Sequence, residues 1–172
     1  MDRHATRAHD GRVTSIPIDA VVRSFPVDAT TAWALVADLR NHERWIPLTR
    51  VSLDGPARAG ATVTAVSGPF ARRGFPGLAD VMTVDRYDPP VGWEPGIATF
   101  TKIGHVLKGH ASIIVVAAGP VSSRVFWSED VYLAGPLPRR LTGAALTPFL
   151  GGMVRYALMK ARREARAMNH RA

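Results

Sequence analysis

The sequence predicts an α+β domain in which a row of antiparallel strands packs against one long C-terminal helix. Three observations lead to this fold class. Residues 139–169 carry apolar side chains at helical spacing, and residues 18–133 divide into short strand-like segments separated by turns. The chain has 172 residues, 47% of them apolar, which is enough to bury one core. A helix with one apolar face needs a covering surface, and the preceding strands supply it.

The strand-like segments are rich in Val, Ile and aromatic residues and end at Gly, Pro or Asp. Asp28 or Thr30 can cap a short helix over residues 31–37, and a second short helix is expected at 41–45, before Pro47. Both helices separate the first strand from the second. Short connections between successive strands favour antiparallel pairing. The predicted strands are residues 18–25, 49–53, 61–67, 79–87, 97–103, 106–118 and 124–133.

The C-terminal segment has the clearest periodicity in the chain. Its basic residues fall mostly off the apolar stripe, as solvent-facing positions do. We expect one helix over residues 139–169, with the alternative that regular helix begins only near Pro148, which suits a first helical turn. The apolar stripe consists of Leu146, Phe149, Leu150, Met153, Ala157, Ala161, Ala165 and Met168.

Composition and charge exclude several classes of protein. Residues 1–15 are polar and are expected to form a flexible leader before a single domain at 16–172, and they lack the apolar centre of a secretory signal. No apolar run approaches the roughly eighteen residues that span a bilayer. The absence of a secretory signal favours a cytoplasmic protein. The absence of cysteine excludes disulfides and thiolate metal sites. The net charge of +8 is concentrated in the C-terminal helix and tail.

Several stretches, taken in order, resemble a known superfamily. They are a strand and "P-x-x-A" break at 24–29, a "W-x-x-x-x-D" helix at 32–38, a segment leading to Trp at 41–47, a strand-ending "Y-D-P-P" at 84–90, and a segment at 123–129 similar to "T-R-V-x-W-x-E". Together they resemble the START-related helix-grip superfamily, which includes polyketide cyclases and dehydratases, lipid-transfer domains and birch-pollen-type allergens. The likeness covers about residues 16–168.

The resemblance implies a helix-grip fold: a curved seven-stranded antiparallel sheet wrapped around the long helix, with a cavity between them. Side-chain alternation predicts which residues face that cavity. On this register Lys102, Lys108, His110 and Ser112 point outward. A loop at 67–78 carries two phenylalanines that would cover the mouth. The predicted ligand-binding residues are Met82, Val84, Leu107, Ala111, Val125, Trp127, Glu129, Phe149 and Met153, with Phe70 and Phe75 from the loop.

Two ionisable residues, His105 and Glu129, fall on the predicted inner face. Burial of such a group is costly unless it is paired, so each is a candidate acid–base group or hydrogen-bond anchor for a ligand. The alternative is that both sit at strand ends, in contact with water. A bulge of one residue would exchange the faces and make Lys108 and His110 the candidates instead.

Three functions follow from these observations. We expect binding or transport of one apolar or amphipathic small molecule, because apolar walls are more evident than converging polar groups. The first alternative is a cyclase or dehydratase that uses Glu129 and His105. The second is a basic protein that acts through its C-terminal tail, with peripheral contact to an anionic membrane left open. No nucleic-acid partner, metal or redox cofactor is expected, because the tail has no aromatic after Tyr156 and the histidines form no ligand set.

Overall fold

The computed structural model describes residues 16–169, so the predicted leader and residues 170–172 lie outside the described part of the chain. The helices are α1 (Ala29–Val36), α2 (His42–Trp45) and α3 (Arg139–Asn169), with a 3-10 turn at Leu39–Asn41. The strands are β1 (Val21–Phe25), β2 (Thr49–Leu53), β3 (Thr62–Ser67), β4 (Leu78–Asp88), β5 (Gly96–Lys102), β6 (Leu107–Gly119) and β7 (Ser122–Leu133).

All seven strands belong to one antiparallel sheet with the spatial order β1-β7-β6-β5-β4-β3-β2. The order follows from the short connections, except that β1 crosses over to pair with β7. A bulge between Val84 and Arg86 shifts the register of β4 against β5, and bulges of this kind bend a sheet. The predicted curved sheet, the two short helices between β1 and β2 and the long terminal helix are therefore confirmed.

The two short helices are attached by local hydrogen bonds and by buried tryptophans. Asp28 caps α1: its carboxylate accepts a bond from the Thr31 backbone N–H at 2.9 Å and another from the Thr31 hydroxyl at 2.6 Å. The bond from the Thr31 hydroxyl is the main reason why the pKa of Asp28 is lowered. Trp33 and Trp45 are both buried in the main core, so they hold α1 and α2 against the rest of the fold.

The long helix begins at Arg139, so the alternative start near Pro148 is wrong. Its first turn forms because the backbone N–H groups of Leu141 and Thr142 both donate to the Pro138 carbonyl. The Thr142 hydroxyl accepts a bond from the Leu133 backbone N–H at 3.3 Å, which attaches this turn to the end of β7. Within residues 16–169, no helix combines the length and the apolar character needed to span a membrane.

Candidate functional site

A cavity of about 810 Å³ lies between the sheet and the first half of α3. Side chains from β2 to β7 form one wall, and α3 residues between Leu146 and Tyr156 form the other. Leu48, Leu78 and Phe149 line the cavity and are also well exposed, so its opening lies between them. Among the predicted binding residues, those that line the cavity are Met82, Leu107, Ala111, Trp127, Glu129, Phe149 and Met153.

Val84 and Val125 do not line the cavity, although both were predicted to do so. They are fully buried in the main hydrophobic core. Alternation along a strand predicts the face on which a side chain lies, but it does not predict where along the strand the helix closes over that face. The two valines therefore lie in parts of that face where the core is closed.

The two phenylalanines of the β3–β4 loop also lie away from the cavity. Phe70 and Phe75 are exposed, and their rings contact each other with centroids 6.0 Å apart. The Arg72 guanidinium donates to the backbone carbonyls of Glu43, Ile46 and Thr49, which ties this loop to the α2–β2 connection. In the part of the chain that the structure describes, these two phenylalanines therefore do not cover the mouth of the cavity, contrary to the prediction.

His105 is exposed and does not face the cavity, contrary to the prediction. It lies in the turn between β5, which ends at Lys102, and β6, which begins at Leu107. Side-chain alternation does not extend through a turn, so the face assigned to Leu107 could not be carried back to His105. His110, the residue favoured by the alternative register, lies on the outer face with its Nδ1 3.2 Å from the Thr101 hydroxyl.

Lys102 is the largest error in the sequence prediction of the site, because it points inward rather than outward. Only 4% of the residue is exposed, and it lines the cavity. Its Nζ lies 2.5 Å from Oδ2 of Asp80 and 3.4 Å from Oε2 of Glu129. These three residues form a buried ionic cluster in the cavity wall. A signal existed in the sequence: Lys102 follows Phe100 at the spacing that places both on one face of β5.

The cluster spans three strands because the strand between its members carries small residues. Lys102 on β5 pairs with Gly109 on β6, and Glu129 on β7 pairs with Ala111 on the same strand. Gly109 adopts φ +125°, and a Cβ there would lie 1.9 Å from the Asp130 carbonyl oxygen, so only glycine fits. The lysine side chain can therefore cross β6 and reach Glu129.

Burial and neighbouring charges shift the pKa values of Glu129 and Lys102 in opposite directions. Burial raises the pKa of Glu129, and the opposing effects of the Lys102 ammonium and the Trp127 indole do not cancel it. Burial alone would lower the pKa of Lys102, but the carboxylates of Glu129 and Asp80 outweigh it, and that pKa is raised. Lys102 is therefore a cation already engaged by two acids.

Each carboxylate of the cluster keeps one oxygen without a hydrogen-bond donor. Oε1 of Glu129 accepts a bond from the Trp127 indole N–H at 3.0 Å. Oε2 of Glu129 and Oδ1 of Asp80 are buried and have no hydrogen-bond partner. Buried acceptors of this kind are rare and are stabilised when a ligand or a water supplies a donor.

His42 supplies a neutral polar group to the same wall. Its Nε2 donates to the Val36 carbonyl oxygen at 2.8 Å, and its ring lies 4.6 Å from that of Trp127. Burial lowers the pKa of His42 to about 4, so the ring is uncharged at neutral pH. The sequence prediction did not include His42, because nothing in a four-residue helix indicates which side chain is covered.

These features define the helix-grip class, and the predicted resemblance is confirmed. Residues 20–166 match the family model described as "Polyketide cyclase / dehydrase and lipid transport", so the chain belongs to this family. The comparison with curated proteins finds no significant sequence match. Among residues 16–169, no three His, Asp or Glu side chains are placed so that they could hold a metal ion.

Solved structures with low sequence identity share the fold. XoxI from Bacillus cereus is 13% identical, with a TM-score of 0.62 over 88% of this chain and 96% of that one. The Zhui aromatase/cyclase from Streptomyces sp. R1128 is 14% identical, with a TM-score of 0.59 over 86% and 92%. A START superfamily protein from Mycobacterium smegmatis is 17% identical, with a TM-score of 0.59 over 84% and 96%.

Proposed function

We propose that this protein binds, and thereby stores or carries, one amphipathic small molecule that is mostly apolar. The observation that carries the proposal is the cavity of about 810 Å³, whose walls are apolar except for a few polar residues. A cavity of this size suits a single ligand. A ligand that loses about 300 Å² of apolar surface to such walls gains roughly 7 kcal/mol before the entropic cost of association.

Membership of the family supports this proposal at the level of ligand class. The family description covers both lipid transport and polyketide chemistry, and both involve large apolar or amphipathic molecules. Fold similarity alone does not assign an activity, so the choice between binding and chemistry depends on the cavity itself. Because its lining is mostly apolar, desolvation of the ligand is the main driving force. A cytoplasmic location stays a prediction.

Titration with a neutral apolar dye, Nile red, tests the proposal. Saturable binding of one dye molecule per chain is expected, and Ala111→Phe should abolish it, because Ala111 lines the cavity. Ala118→Phe is the matched control, since Ala118 lies on the same strand but is exposed. Equal dye binding by the wild type and Ala111→Phe would contradict the proposal. Native mass spectrometry of the purified protein should also detect a copurified small molecule.

A polyketide cyclase or dehydratase is the second candidate, and one observation favours it. Glu129 is a buried carboxyl of raised pKa in the cavity wall, as expected of a general acid or base. Its ion-pair partner is Lys102, which also pairs with Asp80; His105 is too exposed for that role. An enzyme of this kind should cyclise a poly-β-ketone thioester analogue, and Glu129→Gln should abolish turnover while dye binding is retained. Equal turnover by both proteins would exclude Glu129 as the catalytic group.

A further inference from the structure

We infer that the polar end of the ligand is a hydrogen-bond donor, such as a hydroxyl, phenol or amine, and that the cavity discriminates against carboxylates and other anions. The inference rests on the proposed function and specifies the ligand class for the same cavity. It follows from the charges and the unpartnered oxygens of the cluster formed by Asp80, Lys102 and Glu129.

The cavity offers no unpaired positive charge to a ligand. The cavity-lining residues include one cation, Lys102, and it is already paired with both Asp80 and Glu129. His42 is neutral, and no arginine occurs among the described residues of the lining. With Glu129 ionised the cluster carries a net negative charge; with Glu129 protonated it is neutral, and Oδ1 of Asp80 is then the acceptor left for a ligand. In neither state does an anionic ligand find an unpaired cation, so its desolvation is not compensated.

The two carboxyl groups of the cluster offer hydrogen-bond acceptors. Oδ1 of Asp80 has no hydrogen-bond donor, and Oε2 of Glu129, 3.4 Å from the Lys102 ammonium, makes no hydrogen bond. The side chains of Glu129 and Asp80 are 10% and 19% exposed, and both residues line the cavity. Both oxygens are buried behind the cavity surface, so a ligand donor seated against the wall reaches one of them only when that side chain rotates towards the cavity. A ligand ether or carboxylate offers only acceptors and leaves these oxygens unpaired.

The cluster is surrounded by apolar walls. Met82 lines the cavity on β4, the strand that also carries Asp80, and Leu107 lines it on β6, between the strands of Lys102 and Glu129. Phe149 and Met153 line it from α3, on the opposite side. A ligand with its donor at Glu129 therefore has apolar contacts around the remainder of its length. Specificity then arises at one end of the ligand, and affinity arises along its body.

Displacement of Nile red by three matched probes tests the inference at about pH 8, where dodecanoate is ionised. The probes are dodecan-1-ol, dodecanoate and dodecyl methyl ether, each below its aggregation concentration. Wild-type protein should bind the alcohol at least about tenfold more tightly than dodecanoate, and more tightly than the ether. Equal binding of the alcohol and the ether, no displacement by the alcohol, or preference for dodecanoate would each overturn the inference. Failure of Nile red itself to bind would instead contradict the proposed function.

A double substitution tests the cause of the preference. Asp80→Asn with Glu129→Gln keeps the side-chain shapes but leaves the Lys102 ammonium without a counter-charge, so dodecanoate should now bind more tightly than the alcohol. Ser112→Ala is the control, because Ser112 lies on β6 beside Ala111 but does not line the cavity, and its hydroxyl lies 2.8 Å from that of Ser128. This variant should keep the wild-type order of probes. An unchanged order in the folded double variant would overturn the inference. If that variant does not fold, the wild-type probe series still decides the matter.

Discussion

The two halves of α3 meet the sheet in different ways. From Val154 onward its inward residues, among them Ala157, Leu158 and Ala161, are fully or almost fully buried. In the half before Val154 only Thr142 is buried, and Phe149 is 69% exposed. Small side chains let a helix approach a sheet closely, whereas the larger residues of the first half border open space. One amphipathic helix can therefore seal a core at one end and border a cavity at the other.

The largest expected effect comes from truncating a side chain in the closed half. Leu158→Ala should lower the free energy of unfolding by about 2–5 kcal/mol, because Leu158 is fully buried and its removal leaves a void. Phe149→Ala, in the open half, should lower it by less than about 1 kcal/mol, since most of that ring already contacts solvent. Denaturant unfolding measures both values. Similar losses in the two variants would contradict the distinction between the halves.

The second effect is a dependence of stability on pH at His42, which lines the cavity and packs on Trp127. Burial holds the pKa of His42 at about 4 in the folded protein, below the ordinary value of 6.5. The unfolded chain therefore binds the proton first as pH falls. Stability from this group is complete above pH 6.5 and is lost as pH falls towards 4, by roughly 3 kcal/mol.

His42→Gln is the control for this prediction, because glutamine can donate to the Val36 carbonyl but does not titrate. Glu129 acts in the opposite direction, since its pKa is raised on folding and its contribution to stability is lost as pH rises. The difference between wild type and His42→Gln, measured by urea unfolding across this pH range, isolates the histidine. An identical pH dependence in both proteins would show that His42 does not carry the effect.

The third effect compares an alanine-to-phenylalanine substitution in the closed half of α3 with the same substitution in the cavity wall. Ala157→Phe should destabilise the protein by roughly 1–3 kcal/mol or more, because a ring does not fit in the closed half. Ala111→Phe should change the unfolding free energy much less, since its ring can enter the cavity. Thermal and denaturant unfolding provide the comparison. Equal destabilisation would indicate that the space beside Ala111 cannot accept a side chain.

The smallest expected effect comes from a substitution outside α3. Asp28→Ala removes the cap of α1 and should cost about 1 kcal/mol of stability. Because Asp28 does not line the cavity and does not belong to the ionic cluster, the affinity for Nile red should not change. Asp28→Ser should recover most of the loss, since serine also caps helices. A loss of dye affinity in Asp28→Ala would show that α1 influences the cavity from a distance.

The sequence was sufficient for the fold because periodicity is a local property. The strands were predicted from segments rich in Val and Ile that end at turn residues, and α3 from a helical stripe; both patterns can be recognised within short stretches of the chain. The register of inward faces was also correct for Leu107, Ala111, Trp127 and Glu129, which alternate within single strands. Errors at the level of elements were confined to their ends, such as the late start of β1.

The site was harder to predict because it depends on relations between elements. His105 and Lys102 were misplaced since the β5–β6 turn interrupts alternation, and the error at Lys102 concealed the ionic cluster. Val84 and Val125 were assigned to the correct face but are fully buried in the main hydrophobic core. No local pattern specifies where a helix leaves a sheet, because that point is set by the fit of side chains from distant parts of the chain.

The most direct test of the cavity is an NMR titration of isotope-labelled protein with dodecan-1-ol. The structure predicts saturable shifts that are largest at residues bordering the open half, such as Ala111, Gly152 and Met153. Backbone amides of Ala161 and Ala165, in the closed half, should shift least. Absence of saturable shifts, or shifts concentrated in the closed half or on the outer face of the sheet, would contradict binding between the sheet and the first half of α3.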